Sequence, residues 1–250
     1  MGRVLVLGRD SDSTHMLLHC LVGQGYSVEW FEEKRDDKSK LLARRIKKYG
    51  LVTVLGQLLF LLYVKVLRVY SRGRRNDILK KWLGSKRITP SKVVTNINDT
   101  DSIGFVSMFP ASIILLSGTR ILSKSLLSVL KCPVVNIHAG ITSRYRGVHG
   151  GYWSLVANDP SNFGATIHLV DEGIDTGGVL AFVPATVTNQ DNFSTYPLLQ
   201  QSEALKVLPE LLVKVLSGNV KVVVVDTESK LWTHPTLWGY LNKKISRGVQ

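Results

Sequence analysis

Apolar residues along this chain come in short runs with strand character, separated by stretches of helical period. Residues 3–8 (RVLVLG) predict a buried strand, and 13–24 a helix capped by Ser11 or Ser13 and ended by Gly25. Residues 27–31 predict a second strand. A β-α-β opening of this kind starts a parallel α/β sheet. Further along, the pattern predicts helices over 38–49, 76–84, 124–130, 151–157 and 195–217. Strands are predicted over 92–95, 111–116, 133–138, 166–170, 179–187 and 220–225. The expected fold is α/β and Rossmann-like, a twisted, mostly parallel sheet with helices on both faces. The expected organisation is one catalytic domain over 1–225 carrying a helical insertion over 34–87, followed by an aromatic-rich extension over 226–250.

Charge changes this picture in one place. Residues 34–87 hold 17 Lys/Arg against 3 Asp/Glu, which accounts for the whole net charge of +13; the rest of the chain is close to neutral. A local basic block calls for a polyanionic partner: a membrane surface, a nucleic acid or a phosphorylated substrate. Within it, residues 51–64 are apolar except for Thr53, Gly56 and Gln57. Fourteen residues fall short of the roughly 20 needed to span a bilayer, so no span is expected. Flanked by Arg44, Arg45, Lys47 and Lys48 before it and Lys65, Arg68, Arg72, Arg74 and Arg75 after it, the stretch has the form of a peripheral membrane anchor. A helix packed on the sheet, or a homodimer contact, is the alternative.

Composition adds little else. The length and the 44% hydrophobic content suit a globular domain with an ample core. Two cysteines, Cys20 and Cys132, give neither a disulfide framework nor a metal-ligand pattern, so no metal is expected. The N-terminal apolar run is too short for a signal peptide and leads straight into strand-turn-helix, so a cytoplasmic location is expected, at the inner membrane surface if the anchor engages lipid.

The chemistry concentrates in residues 134–178. Asn136 and His138 lie two apart on a predicted strand and therefore share a face. A glycine-rich loop, DEGIDTGG over 171–178, can bring Asp175 to them. A donor amide, a proton acceptor and a carboxylate in one cleft are parts for acyl-type group transfer.

Their context is an apolar strand followed by SGTRIL, then VNIH, RYRG, GATIH and DEGIDTG. This order resembles the 10-formyltetrahydrofolate-dependent formyltransferases: the glycinamide ribonucleotide, methionyl-tRNA and sugar N-formyltransferases. The resemblance is specific across about 112–188, general over the opening β-α-β and absent over 34–87. It implies a catalytic trio of Asn136, His138 and Asp175, supported by Thr166. It implies a folate site made by the backbone of Gly118, Thr119, Arg120, Ile121 and Leu122 and by the loop Val170, Asp171, Glu172 and Gly173. The family's Leu-Pro-x-Tyr-Arg-Gly turn corresponds to TSRYRG over 142–147, without its proline. For the acceptor, the candidates are Gly8, Arg9 and Ser11 in the first strand-helix turn, Tyr145, Arg146, Gly147 and His149 around the RYRG turn, and Trp232 in the tail. His168 reads as structural.

The implied reaction moves a formyl group to a primary amine. Asn136 and protonated His138 stabilise the oxyanion, His138 takes the amine proton, and Asp175 orients the imidazole or holds a relaying water. The compact chain and the apolar centre of the basic block argue against nucleic acid as partner. A nucleotide-linked amino sugar for surface-polysaccharide synthesis is the acceptor expected. Methionyl-tRNA and glycinamide ribonucleotide are alternatives, and a formyltetrahydrofolate hydrolase is the second alternative.

Overall fold

The computed structural model describes residues 2–35, 38–142, 144–223, 228 and 230–250. Strands β1 (Arg3–Gly8), β2 (Ser27–Glu33), β3 (Lys92–Val94), β4 (Ile113–Ser117), β5 (Val134–His138), β7 (Gly164–Leu169) and β8 (Val179–Pro184) form one seven-stranded sheet in the order β3-β2-β1-β4-β5-β7-β8. The first five are parallel, and β7 and β8 run antiparallel at one edge. Two short strands, β6 (Arg146–Gly147) and β9 (Leu231–Trp232), pair apart from it.

Both faces of the sheet are covered, as continuous apolar strands require. Val4 and Val6 of β1 face one core with α1 (Asp12–Gly23) and α8 (Tyr196–Leu216). Leu5 and Leu7 face the other, with α5 (Thr100–Met108) and α6 (Lys124–Leu127). Ser11 caps α1 by accepting from the Thr14 amide, and Asp99 caps α5 through the Ser102 amide. Helix α5 was not read from the sequence, although Asp99 ahead of a short apolar stretch is its capping signal.

The insertion differs from expectation in extent. After α2 (Lys38–Tyr49), a single helix, α3, runs from Leu51 to Tyr70, so helical structure continues six residues past the apolar stretch, through Lys65 and Arg68. At 20 residues it is long and apolar enough to cross a membrane by length and composition, yet 33% of its apolar window is buried inside the fold. Val54, Gln57, Phe60, Val64 and Leu67 pack inward. Phe60 meets Phe193 at 4.7 Å and Tyr240 at 5.0 Å between ring centroids. The next helix, α4, covers Arg72–Leu79 rather than 76–84. Two ion pairs seat it: Arg74 on Asp191 and Arg75 on Asp12.

The C-terminal segment folds onto the same core. The aromatic-rich tail contains α9 (Leu237–Arg247), capped by Thr236 and ended by Gly248 in the left-handed region. Its Tyr240 is fully buried beside Phe60, Tyr63 and Tyr152. Of the strand expected over 220–225, one antiparallel bridge is present, Val223 with Val179. Residues 224–225, and with them the expected boundary at 225/226, lie outside the described residues.

Candidate active site

Strand β5 ends at the carboxyl edge of the parallel sheet, where doubly wound folds bind ligands. Asn136, Ile137 and His138 reach a cleft of about 650 Å³ there. Antiparallel pairing with β7 sets Asn136 opposite His168 and His138 opposite Thr166. The loop after β7 returns Asp175 to the same spot, with Asp175 in the left-handed backbone region at φ 50°. Asp175 Oδ2 lies 3.4 Å from His138 Nδ1 and accepts the Gly147 amide at 3.2 Å. Its Oδ1 lies 3.7 Å from His168 Nε2.

Hydrogen bonding fixes the proton positions on both rings. His138 Nε2 donates to the Tyr145 carbonyl at 3.0 Å, which leaves Nδ1 unprotonated in the neutral ring and facing the carboxylate. His168 Nδ1 donates to the Leu169 carbonyl at 2.7 Å, so its Nε2 accepts from the Asn136 amide at 3.1 Å. One Asn136 N–H is thereby committed, and the amide plane is held with a second N–H to offer. Thr166 donates to the Gly140 carbonyl and accepts from the Thr142 amide, which ties down the segment after β5.

Burial lowers the pKa of His138, opposed by Asp175 and by the bond to Tyr145; the net is a ring neutral near pH 7 and fit to accept a proton. Burial alone would raise the pKa of Asp175. The two neighbouring imidazoles, whose protonated forms the carboxylate favours, and the Gly147 amide that donates to it outweigh burial, and the carboxyl lies below its ordinary value. The pair is therefore a neutral base beside a fixed anion, an arrangement that stabilises the imidazolium formed on proton uptake.

One wall of the cleft is the segment after β4. Gly118, Thr119, Arg120, Ile121 and Leu122 all line it, as do Val170, Asp171 and Gly173 across from them. Glu33, buried at the end of β2, secures this wall. Its carboxylate accepts from Thr119 Oγ1 and the Arg120 amide, both at 2.9 Å, and pairs with the Arg120 side chain. Backbone polar groups between the apolar side chains of Leu116, Ile121, Leu122 and Val170 suit a flat heterocycle with hydrogen-bonding edges. Glu172 does not line the cleft; it turns outward to Lys124 at 2.5 Å.

The opposite wall comes from parts of the chain far apart in sequence. Arg45, Lys48 and Tyr49 of α2, Gln57 of α3 and residues 231–234 line it. The Arg45 guanidinium donates to Gln57, whose amide donates to the His234 carbonyl at 2.8 Å. Gly147 pairs with Trp232 across the β6–β9 ribbon at φ 92°, where a Cβ would collide with the Trp232 carbonyl. Trp232 stacks on Trp153 at 4.7 Å.

Of the residues expected at the acceptor, Gly147 and Trp232 line the cleft. The others are placed elsewhere for identifiable reasons. Arg9 lies 3.9 Å from Glu33, and Ser11 is spent as a helix cap. Gly8 packs under the Ser117 carbonyl. At the start of α1, Asp12 already holds Arg75, which leaves that helix end a poor phosphate site. Tyr145 is buried and donates to Asp159 at 2.9 Å, and Arg146 donates to the Ile174 carbonyl at 2.8 Å. His149 is half-buried against His234 at 2.9 Å, Nε2 to Nδ1. Arg45, Lys48, Gln57 and the contact between His168 and Asn136 were not read from the sequence. The basic block was the only signal toward the first two.

A doubly wound sheet with an amide, an imidazole and a carboxylate at its carboxyl edge is an α/β protein with a polar cluster where such sheets bind their ligands. A formyl transferase family model matches residues 65–212, which contain all three side chains, and the chain belongs to that family. A methionyl-tRNA formyltransferase of Thermodesulfovibrio yellowstonii is 30% identical over 119 residues, 47% of this chain and 37% of that protein. The chain spans less than half the length of the curated relatives it matches. Among solved structures, a sugar N-formyltransferase from Shewanella sp FDAARGOS_354 superposes over 92% of this chain and 76% of its own, with TM-score 0.58 and 14% identity. A phosphoribosylglycinamide formyltransferase from Streptococcus pneumoniae superposes over 85% and 98%, with TM-score 0.54 and 18% identity. These likenesses establish the Rossmann-like formyltransferase fold.

Proposed function

We propose that this chain transfers a formyl group from 10-formyltetrahydrofolate to a primary amine, the amine belonging to a nucleotide-linked amino sugar. The observation that carries the transfer is the convergence of Asn136, His138 and Asp175 on one cleft. The donor supplies an activated formyl carbonyl. The free N–H of Asn136 stabilises negative charge growing on the formyl oxygen. His138 Nδ1 takes the proton that the amine sheds as its nitrogen bonds to the formyl carbon, and Asp175 balances the imidazolium; the bond from the formyl carbon to N10 of the folate then breaks and His138 returns the proton to N10, releasing tetrahydrofolate. Gly118–Leu122 and Val170–Gly173 hold the folate ring system in this reading.

Arg45 and Lys48 support an anionic acceptor, since they put two cations in the lining of the same cleft. Trp232, stacked on Trp153, offers an aromatic edge to a sugar or base. Methionyl-tRNA is the second reading, favoured by the names of the sequence relatives. The cleft wall of Tyr49, Leu231 and Trp232 favours the small acceptor. The test is release of tetrahydrofolate from 10-formyltetrahydrofolate with each acceptor in turn: dTDP-, UDP- and GDP-linked 4-amino sugars, initiator methionyl-tRNA and glycinamide ribonucleotide. Turnover with a nucleotide sugar alone is the expected result. Turnover with the tRNA alone would replace the acceptor assignment. Formate release with no acceptor would make the chain a hydrolase.

A further inference from the structure

The outward face of α3 is apolar from end to end. Leu51, Leu55, Leu58, Leu62, Val66 and Val69 recur at helical spacing on the side away from Phe60, each between 41% and 76% exposed. Twenty residues make a helix about 30 Å long, so the stripe runs the length of a small domain. Soluble monomers rarely expose a continuous apolar surface of that extent. Trp238 of α9, half exposed, packs over Gly56 of α3.

The charges around the stripe are all of one sign. No acidic residue occurs between Lys38 and Asn76. Lys65 and Arg68 border the stripe, Arg44 and Lys47 stand at its N-terminal end on α2, and Arg72 stands at the other; all five are exposed. Arg74 and Arg75, by contrast, are consumed by Asp191 and Asp12. We infer that the α3 face is a docking surface for an anionic lipid bilayer, with the helix lying in the interface plane. The inward face of α3 excludes a span, because Val54, Gln57 and Phe60 are each at most 2% exposed in the fold. A second copy of the chain fits less well: pairing two such faces antiparallel would set the cations of one α2 against those of the other α4, where Asp77 is the single acid of either helix. An anionic headgroup layer satisfies both features, taking the apolar stripe into its acyl boundary and pairing with the rim cations. This inference stands independently of formyl transfer and its acceptor.

The experiment is flotation of the full chain on vesicles of phosphatidylcholine, alone or with about a third phosphatidylglycerol. The expected result is flotation with the anionic vesicles, weakened by salt, and little with the neutral ones. Leu55→Asp/Leu62→Asp should lower partition roughly tenfold or more with an unchanged melting temperature, since both side chains already face solvent. Lys65→Glu/Arg68→Glu, which leaves the apolar stripe intact, should lower it as well and flatten the salt dependence. Failure of the wild type to float, or equal flotation on both vesicle types, would overturn the inference. So would a dimer seen by light scattering that the double aspartate variant dissociates.

Discussion

The strand-end site and the α2–α3 insertion treat charge in opposite ways. At the site, ionisable groups are withdrawn from water and each is given partners: His138 with Asp175 and Tyr145, Asp175 with the Gly147 amide, Glu33 with Arg120 and Thr119. In the insertion, cations stand in solvent and apolar side chains stand beside them. Desolvation and fixed hydrogen bonds tune a proton acceptor, whereas an exposed mixed surface has no catalytic use and suits recognition of something large. The two meet only where Arg45, Lys48, Tyr49 and Gln57 lean over the cleft. The insertion is thus part of the site's wall as well as a surface of its own.

The comparison assumes that the insertion and the site share one cooperative core, and Phe60→Ala puts that at greatest risk. Phe60 is fully buried among Phe193 and Tyr240, and truncation should cost about 3–5 kcal/mol in denaturant unfolding. A single transition is expected; two transitions would make the insertion a separate unit. Next in size is the site itself. Asn136→Ala should lower kcat by about 10²–10³ in tetrahydrofolate release, with a near-native melt. His138→Ala should do likewise. In the wild type the acid limb of kcat/KM should fall below the ordinary histidine pKa, because burial holds His138 in its neutral form.

A second histidine pair sharpens the contrast further. His149 and His234 face each other, and burial pushes them down to about 3 and about 4. Their folded values lie below the unfolded value of about 6.5. Their contribution to stability is therefore present above that pH and is lost as pH falls toward the folded values. Between pH 7 and pH 5 the wild type should lose about 2 kcal/mol for His149 alone. His149→Asn tolerates the left-handed backbone there, at φ 61°, and should reduce that loss in pH-dependent melts. The smallest effect belongs to the exposed face: Leu58→Gln should change stability by no more than about 0.5 kcal/mol. A cost several times larger would mean the face is covered in the native state.

The proximity of Asn136 and His138 was legible because a strand's period of two puts them on one face. Asp175 was legible as an acid that a glycine-rich loop could return to them, and its role came from the resemblance of that loop, since a loop's path is not written in local spacing. His168 read as structural, and its bond to Asn136 appears only once β7 pairs with β5 in register. Arg9 and Ser11 looked available for an acceptor because the sequence does not reveal that Glu33 and the helix end already engage them. Helix α3 was readable as apolar and basic-flanked, but its end at Tyr70 follows from tertiary packing of Val64 and Leu67.

The sequence by itself determined the alternation of strands and helices, the placement of excess positive charge in one block, and the chemical types available near residue 136. These depend on period and composition, which are local quantities. Tertiary structure alone decided which nitrogen of each histidine carries the proton, which cations reach the cleft, and which side of α3 meets water. The last two are settled by contacts between segments tens to more than a hundred residues apart, which only packing of the whole sheet brings together; the histidine protons are set by carbonyls seven residues and one residue away, whose placement follows from the β5–β7 pairing.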